Sequence, residues 1–180
     1  MILERRALLR AGTAGLLTVA LPGLARAAAP AVRKLRLENI HTGEKLAADY
    51  CVNGCYDPSA LKAINHVLRD HRNGEVHDID PRLLDLLADL NTKLETPAAY
   101  QVISGYRSPQ SNAAMHDRSS GVAKKSLHMQ GMAMDIRVPG RALQAVHANA
   151  RAMARGGVGL YPSSNFVHVD VGRVRYWSGA

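Results

Sequence analysis

Aromatic residues and cysteines are both scarce: 180 residues carry six Tyr, one Trp, one Phe and two Cys. Lys and Arg exceed Asp and Glu by eight, yet they never gather into a long basic run. A nucleic-acid surface needs a clustered basic stripe with aromatic platforms for stacking, so that class of partner is excluded. No internal repeat is visible, and a chain of this length reads as one domain with a core of its own. The hydrophobic fraction of 47% is that of a globular protein and argues against general disorder.

No apolar run reaches the roughly 20 residues of a spanning helix. The N-terminal stretch "ERRALLRAGTAGLLTVALPGLARAAAP" has instead a basic start, an apolar centre from Ala11 to Ala25 interrupted by Pro22, and the small-residue site Ala25-Arg26-Ala27. Residues 1–27 therefore read as a signal peptide cleaved after Ala27. The Arg5-Arg6 pair followed by Ala7-Leu8-Leu9 resembles a twin-arginine signal, with an ordinary secretion signal or a retained anchor as the alternatives. Twin-arginine export carries folded proteins, often with a cofactor already loaded. The expected destination is the periplasm, with no stable membrane association after cleavage. Without these residues the chain keeps 19 basic and 14 acidic side chains, a mild attraction for an anionic polymer.

Residues 28–34 read as a linker and residues 35–180 as the working domain. "RKLRLENIHTGEKLAADYCV" alternates apolar and polar residues, giving two strands around His41-Thr42-Gly43. Asn53-Gly54 reads as a two-residue hairpin turn that sets Cys51 opposite Tyr56 and Val52 opposite Cys55. The two cysteines then face opposite sides of the sheet and read as free thiols; a longer loop would allow a bridge. Asp57-Pro58, Asp80-Pro81 and Ser108-Pro109 each open a helix, with a capping side chain followed by Pro at the first helical position. "AYQVISG" and "AMDIRV" read as strands, "RALQAVHANARAM" as a helix, and "GGVGLY", "FVHVDV" and "VRYW" as closing strands. Early helices and late strands predict a single α+β domain, a small antiparallel sheet packed by helices.

"SLHMQGMAMD" places His128 and Asp135 in an apolar run, where an ionised Asp needs a partner or a metal. Together with His168 in "FVHVD" they form a candidate three-ligand zinc set whose fourth position is left to water. Zinc there would lower the pKa of that water to about 7 and polarise a bound carbonyl, the chemistry of amide hydrolysis. Gly131 would permit a tight approach between His128 and the Asp135 strand. The same residues also read as a satisfied core histidine and an Asp135 paired with Arg107 or Arg137. His41, His66, His71, His77, His116 and His147 sit in turns or on helix faces and read as structural.

"SLHMQGMAMD" matches the S-x-H-x-x-G-x-A-x-D motif of zinc peptidases that cut peptide bonds beside D-amino acids in bacterial cell walls. That superfamily includes D-Ala-D-Ala carboxypeptidases and dipeptidases and shares its zinc fold with lysostaphin-like enzymes. "SGYRSPQSN", "GGVGLYPSSNFVHVDVGRVRYW" and "YDPSALKAINHVLRDHRNGEVHDIDPRLLDLL" resemble most the YcbK/MepK type of murein endopeptidase, over nearly all of residues 35–177. The resemblance implies one zinc held by His128, Asp135 and His168, and hydrolysis of peptide cross-links in peptidoglycan, whose stem peptides would be the partner. It implies that Arg107 sits near the scissile carbonyl, where a guanidinium stabilises the developing oxyanion, or else holds Asp135. Ser126 would bond the substrate or orient the ligand His128. Some relatives place a Glu three residues before the last ligand, and others a His two before it; here those positions hold Asn165 and Phe166. Asp170 shares a strand face with His168 and could serve as the general base, orient His168, or be a salt-bridged structural residue. A carboxypeptidase or dipeptidase trimming stem ends and a non-catalytic wall-binding module are the rival functions.

Overall fold

The computed structural model describes residues 31–118 and 122–179. The expected signal peptide lies outside them. The elements run β1 (Val32–Asn39), β2 (Lys45–Val52), β3 (Cys55–Tyr56), α1 (Pro58–Val67), α2 (Pro81–Lys93), β4 (Tyr100–Ser104), α3 (Pro109–Arg118), a one-turn 3-10 helix (Leu127–Gln130), β5 (Ala133–Arg137), α4 (Leu143–Met153), β6 (Gly157–Tyr161), β7 (Phe166–Asp170) and β8 (Arg175–Ser178). The α+β expectation holds. The sheet is larger than expected, however: eight strands in the order β3-β2-β1-β4-β5-β7-β6-β8. It is mostly antiparallel, with parallel junctions at β1–β4 and β6–β8. The boundary of the linker also needs correction. Val32, Arg33 and Lys34 pair with Val52, Cys51 and Asp49 of β2, so the sheet begins three residues before position 35.

Helix starts follow from their caps. The Asp57 carboxylate accepts from the backbone N–H groups of Ser59 and Ala60, and Asp80 accepts from that of Arg82, with Pro first in each helix. Each cap satisfies donors that the helix leaves without partners, worth about 1 kcal/mol. Asn53 and Gly54 have φ of 51° and 82°, the positive values that a two-residue primed turn requires. The turn sets Cys51 opposite Tyr56 and Val52 opposite Cys55. Both thiols are free, one buried and one exposed, as the alternation of the strand demands.

One face of the sheet carries the core. Leu35 and Leu37 of β1, Tyr100 and Val102 of β4, Met134 and Ile136 of β5, and Val167 and Val169 of β7 are all essentially inaccessible. They pack with Ile64 and Val67 of α1, Leu83, Leu84, Leu87 and Leu90 of α2, and Val146 and Ala150 of α4. At about 25 cal/mol per Å² of apolar surface, this face is the main source of stability. The opposite face is left to polar residues in the second half of the chain. No helix among the described residues is long and apolar enough to cross a membrane.

Two local devices deliver side chains to that polar face. Pairing slips between Val102 and Ser104 in β4, so Ser104 stands opposite Asp135; such irregularities re-aim side chains beside functional sites. The loop after α1 is pinned by Asp70, fully buried, whose carboxylate accepts from the Ser108 N–H (2.9 Å), the Ser108 hydroxyl (2.8 Å) and the Arg72 N–H (3.0 Å). Burial alone would raise the Asp70 carboxyl; these hydrogen bonds outweigh it and hold the group down at about 2. The anchored Ser108 follows Arg107 directly and immediately precedes α3, its hydroxyl accepting the Ser111 N–H.

Candidate metal centre and its cleft

Register brings two of the expected ligands together. Asp135 of β5 lies directly opposite His168 of β7, and the same cross-strand row continues through Gly159 of β6 to Trp177 of β8. His128 arrives from outside the sheet, on the 3-10 turn that precedes β5. Ser126 caps that turn, its hydroxyl accepting the His128 N–H at 3.3 Å. The turn ends at Gly131, whose φ of 64° is left-handed. A side chain there would overlap the Asp78 carbonyl. The close approach that requires glycine is thus to the segment before α2, not to β5 as expected.

All three residues are buried, and their donor atoms face one another. His128 Nε2 lies 3.2 Å from His168 Nδ1 and 3.3 Å from Asp135 Oδ1, and His168 Nδ1 lies 2.8 Å from Asp135 Oδ1. The outer nitrogen of each ring is committed elsewhere. His128 Nδ1–H donates to the Gly105 carbonyl at 2.7 Å, and His168 Nε2–H donates to Asp170 at 3.1 Å. A carbonyl and an ionised carboxylate only accept, so both tautomers are set and both inner nitrogens present lone pairs to Asp135. Burial lowers the His128 imidazole. Burial opposes charge on Asp135 too; with a proton on an inner nitrogen in the cation's place, the two histidines outweigh it and keep the carboxyl well below its usual range. Three inward lone pairs form an arrangement that a cation completes. A tetrahedral zinc with bonds of about 2.0–2.1 Å has ligand–ligand edges of about 3.3 Å; the two edges from His128 match it, and the edge between His168 and Asp135, at 2.8 Å, is shorter.

The other expected residues fall into place around this triangle. Arg107 is buried; its Nη2 lies 3.8 Å from Asp135 Oδ2, and its nearest hydrogen bonds, to Asn112 (3.3 Å) and Ser104 (3.4 Å), are long. Its Nε has no partner among the described residues. Arg137, the other candidate partner of Asp135, turns away to the carbonyls of Ser164 and Asn165. Ser126 lines the cleft but already supports the His128 N–H.

Asp170 is misplaced for the base role expected of it. It is fully buried behind His168, bonded to the ring nitrogen that points away from the donor triangle. Its oxygens also accept from the Gly157 N–H (2.9 Å), the Gly172 N–H (2.8 Å) and both terminal nitrogens of Arg175 (2.7 and 3.1 Å). Burial favours the neutral acid, but these donors outweigh it and hold the carboxyl far below its usual range. No lone pair remains to take a proton from water in the cleft.

The cleft encloses about 480 Å³, with the triangle in its wall. Sequence reasoning missed most of its lining. That lining includes the basic or polar Arg72, Lys125 and His41 and the aromatic Tyr161, Phe166 and Trp177. The chain's single Phe and single Trp both lie here, a concentration visible in the composition only once the fold is known. Asp135 is the single carboxylate among the described lining residues, so the cleft is cationic and suits an anionic ligand.

A buried His-Asp-His donor set opening onto such a cleft has the form of the sites in metal-dependent hydrolases. The chain belongs to the family described as peptidoglycan L,D-endopeptidase MepK, whose model matches residues 27–177. The peptidoglycan L,D-endopeptidase MepK of Escherichia coli strain K12 is 43% identical over 176 residues, 97% of each chain, and the protein of that name in Shigella flexneri gives the same values. The Haemophilus influenzae protein named "Probable peptidoglycan L,D-endopeptidase MepK" is 41% identical over 157 residues, 87% of this chain and 84% of its own. No solved structure gives a significant match. The resemblance carried by the S-x-H-x-x-G-x-A-x-D stretch and the closing strands is thereby borne out.

Proposed function

We propose that the chain is a periplasmic peptidoglycan endopeptidase that hydrolyses L,D peptide bonds in cross-linked stem peptides, using one zinc ion. The observation that carries the reading is the convergence of three lone pairs, from His128, Asp135 and His168, in the wall of a cationic cleft. Two imidazoles and one carboxylate suit zinc better than harder cations, which prefer all-oxygen sets. When bound, zinc supplies Lewis-acid activation of water and of the scissile carbonyl. His128 and His168 contribute neutral imidazoles whose outer N–H groups are tied down. Asp135 lowers the net charge of the centre. Arg107, with donor capacity to spare beside Asp135, stabilises the oxyanion that develops on the carbonyl. Ser126 holds the His128 turn and can offer its hydroxyl proton to the substrate. Asp170 acts through His168 as a positioning residue. The relatives' names supply the bond type, and the cationic lining favours the anionic wall polymer over an uncharged peptide.

Cross-linked sacculi incubated with the mature protein and then digested with a muramidase should yield monomeric in place of cross-linked muropeptides, and a chelator should abolish the change until zinc is returned. Mass spectrometry of the products separates three outcomes. Cleaved cross-links support the endopeptidase, shortened free stems a carboxypeptidase or dipeptidase, and binding without products a non-catalytic module.

Export by the twin-arginine route belongs to the same proposal. Its support is the Arg5-Arg6 pair ahead of a short apolar segment. Replacing both arginines by lysine keeps the positive charge but removes the feature that this route reads. Such a variant should stay in the cytoplasm; undiminished delivery would assign ordinary secretion instead.

A further inference from the structure

The strand between the metal-binding β7 and the sheet edge is unusual in composition. β6 reads Gly157-Val158-Gly159-Leu160-Tyr161, and both glycines lie on the cleft face, since Val158 belongs to the core on the other side. Glycine inside a strand weakens it by roughly 0.5–1 kcal/mol against alanine, and its presence marks a close approach. Neither glycine has a positive φ, so backbone freedom is not the reason. The reason lies above them. A side chain at Gly157 would overlap the carboxylate of Asp170 and the guanidinium of Arg175, and one at Gly159 would overlap the indole of Trp177.

Arg175 and Trp177 come from β8, paired with Gly157 and Gly159 respectively. Adjacent strands lie about 4.8 Å apart, so β8 and β7 are nearly 10 Å apart. A side chain from β8 can reach β7 only where β6 presents no side chain of its own. Arg175 crosses over Gly157 and grips both oxygens of Asp170, and its guanidinium also lies 5.0 Å from the Trp177 ring centroid. Trp177 crosses over Gly159 and rests 5.2 Å from the His168 ring, centroid to centroid, while its Nε1–H donates to the Tyr161 hydroxyl at 2.9 Å.

The geometry points to Arg175 and Trp177 as positioning residues that reach across a glycine-floored strand to fix His168, through Asp170 and by direct packing, with Nδ1 toward the metal. This rests on the reading of His168 as a zinc ligand. Arg175 holds Asp170 in one orientation, and Asp170 then accepts from Nε2–H and leaves Nδ1 unprotonated. Trp177 limits rotation of the ring about its own bond. Neither side chain supplies an atom to the donor triangle. Without them His168 has a second rotamer and a second tautomer available, and the zinc site loses preorganisation rather than a ligand.

The test uses the mature protein stripped of metal, with zinc affinity read by chelator competition and site geometry read from the visible spectrum of the cobalt-loaded form. Arg175→Gln should melt near the metal-free wild type, bind zinc about 10- to 100-fold more weakly, and show an altered cobalt band even at saturation. Arg175→Lys, which keeps one charged donor, should recover part of the affinity. Gly157→Ala introduces the overlap from beneath and should reproduce the Arg175→Gln losses, and the double variant should be little worse than either alone. Wild-type affinity with an unchanged cobalt band in Arg175→Gln, or in Gly157→Ala should the first variant not fold, overturns the proposal. Additive losses in the double variant overturn it as well. A wild-type chain that binds no zinc is a different result, visible before any variant is made, and it removes the ligand reading together with the brace.

Discussion

His128→Ala is expected to yield a folded protein that binds no zinc tightly and releases no product from sacculi. His128 is the one proposed ligand supplied from outside the sheet, on a 3-10 turn, whereas Asp135 and His168 are fixed by strand pairing. Removing it leaves the apolar face on the far side of the sheet intact, so folding survives. The site is left with two donors where a catalytic zinc needs three. Thermal melting gives a second readout. A ligand that binds only the folded state at 1,000 times its Kd stabilises by about 4 kcal/mol. For a domain of this size each kcal/mol shifts Tm by roughly 2–4 °C. A chelator should therefore lower the wild-type Tm by about 10 °C and leave that of His128→Ala unmoved. Stoichiometric, tight zinc in the variant would remove His128 from the ligand set.

The proposed ligands were legible in the sequence because they lie in local patterns. A histidine, a glycine and an aspartate before one strand, and a histidine in the middle of another, need only antiparallel pairing to meet. The free thiols were legible for the same reason, since Asn53-Gly54 dictates both turn and register. What escaped depends on contacts between distant segments. The parallel pairing of β8 with β6 follows no local pattern, so Arg175 went unnoticed, and Asp170 kept an apparent freedom to act as a base. Its placement on the face of His168 was right. What the sequence could not show is that four further donors besides His168, from Gly157, Gly172 and Arg175, would occupy its oxygens. Val32–Lys34 looked like linker because strand pairing with residues 49–52, not composition, makes them a strand. The 3-10 turn at Leu127–Gln130 is a single turn, too short to leave a periodicity.

Arg107 poses the sharpest question about chemistry, since it could serve either the substrate or Asp135. The distances favour the substrate. At 3.8 Å the contact with Asp135 Oδ2 is longer than a charge-assisted hydrogen bond, which runs about 2.7–2.9 Å, and the bonds to Asn112 and Ser104 are long as well. A buried guanidinium whose Nη bonds to Asn112 and Ser104 are both long has donors to spare in the wall of the cleft, and burial strengthens whatever bond they make to a developing negative charge. Arg107→Ala should therefore keep its zinc and lower kcat by about 100- to 1,000-fold, with a smaller change in KM. Arg107→Lys retains the charge but not the planar fork, and should recover only part of the lost turnover. The alternative role gives the opposite pattern. Were Arg107 chiefly the anchor of Asp135, Arg107→Ala would weaken zinc binding, and excess metal would restore turnover. Zinc titration beside steady-state kinetics on the same preparation decides between the two, because only an oxyanion donor leaves the metal in place while the reaction slows.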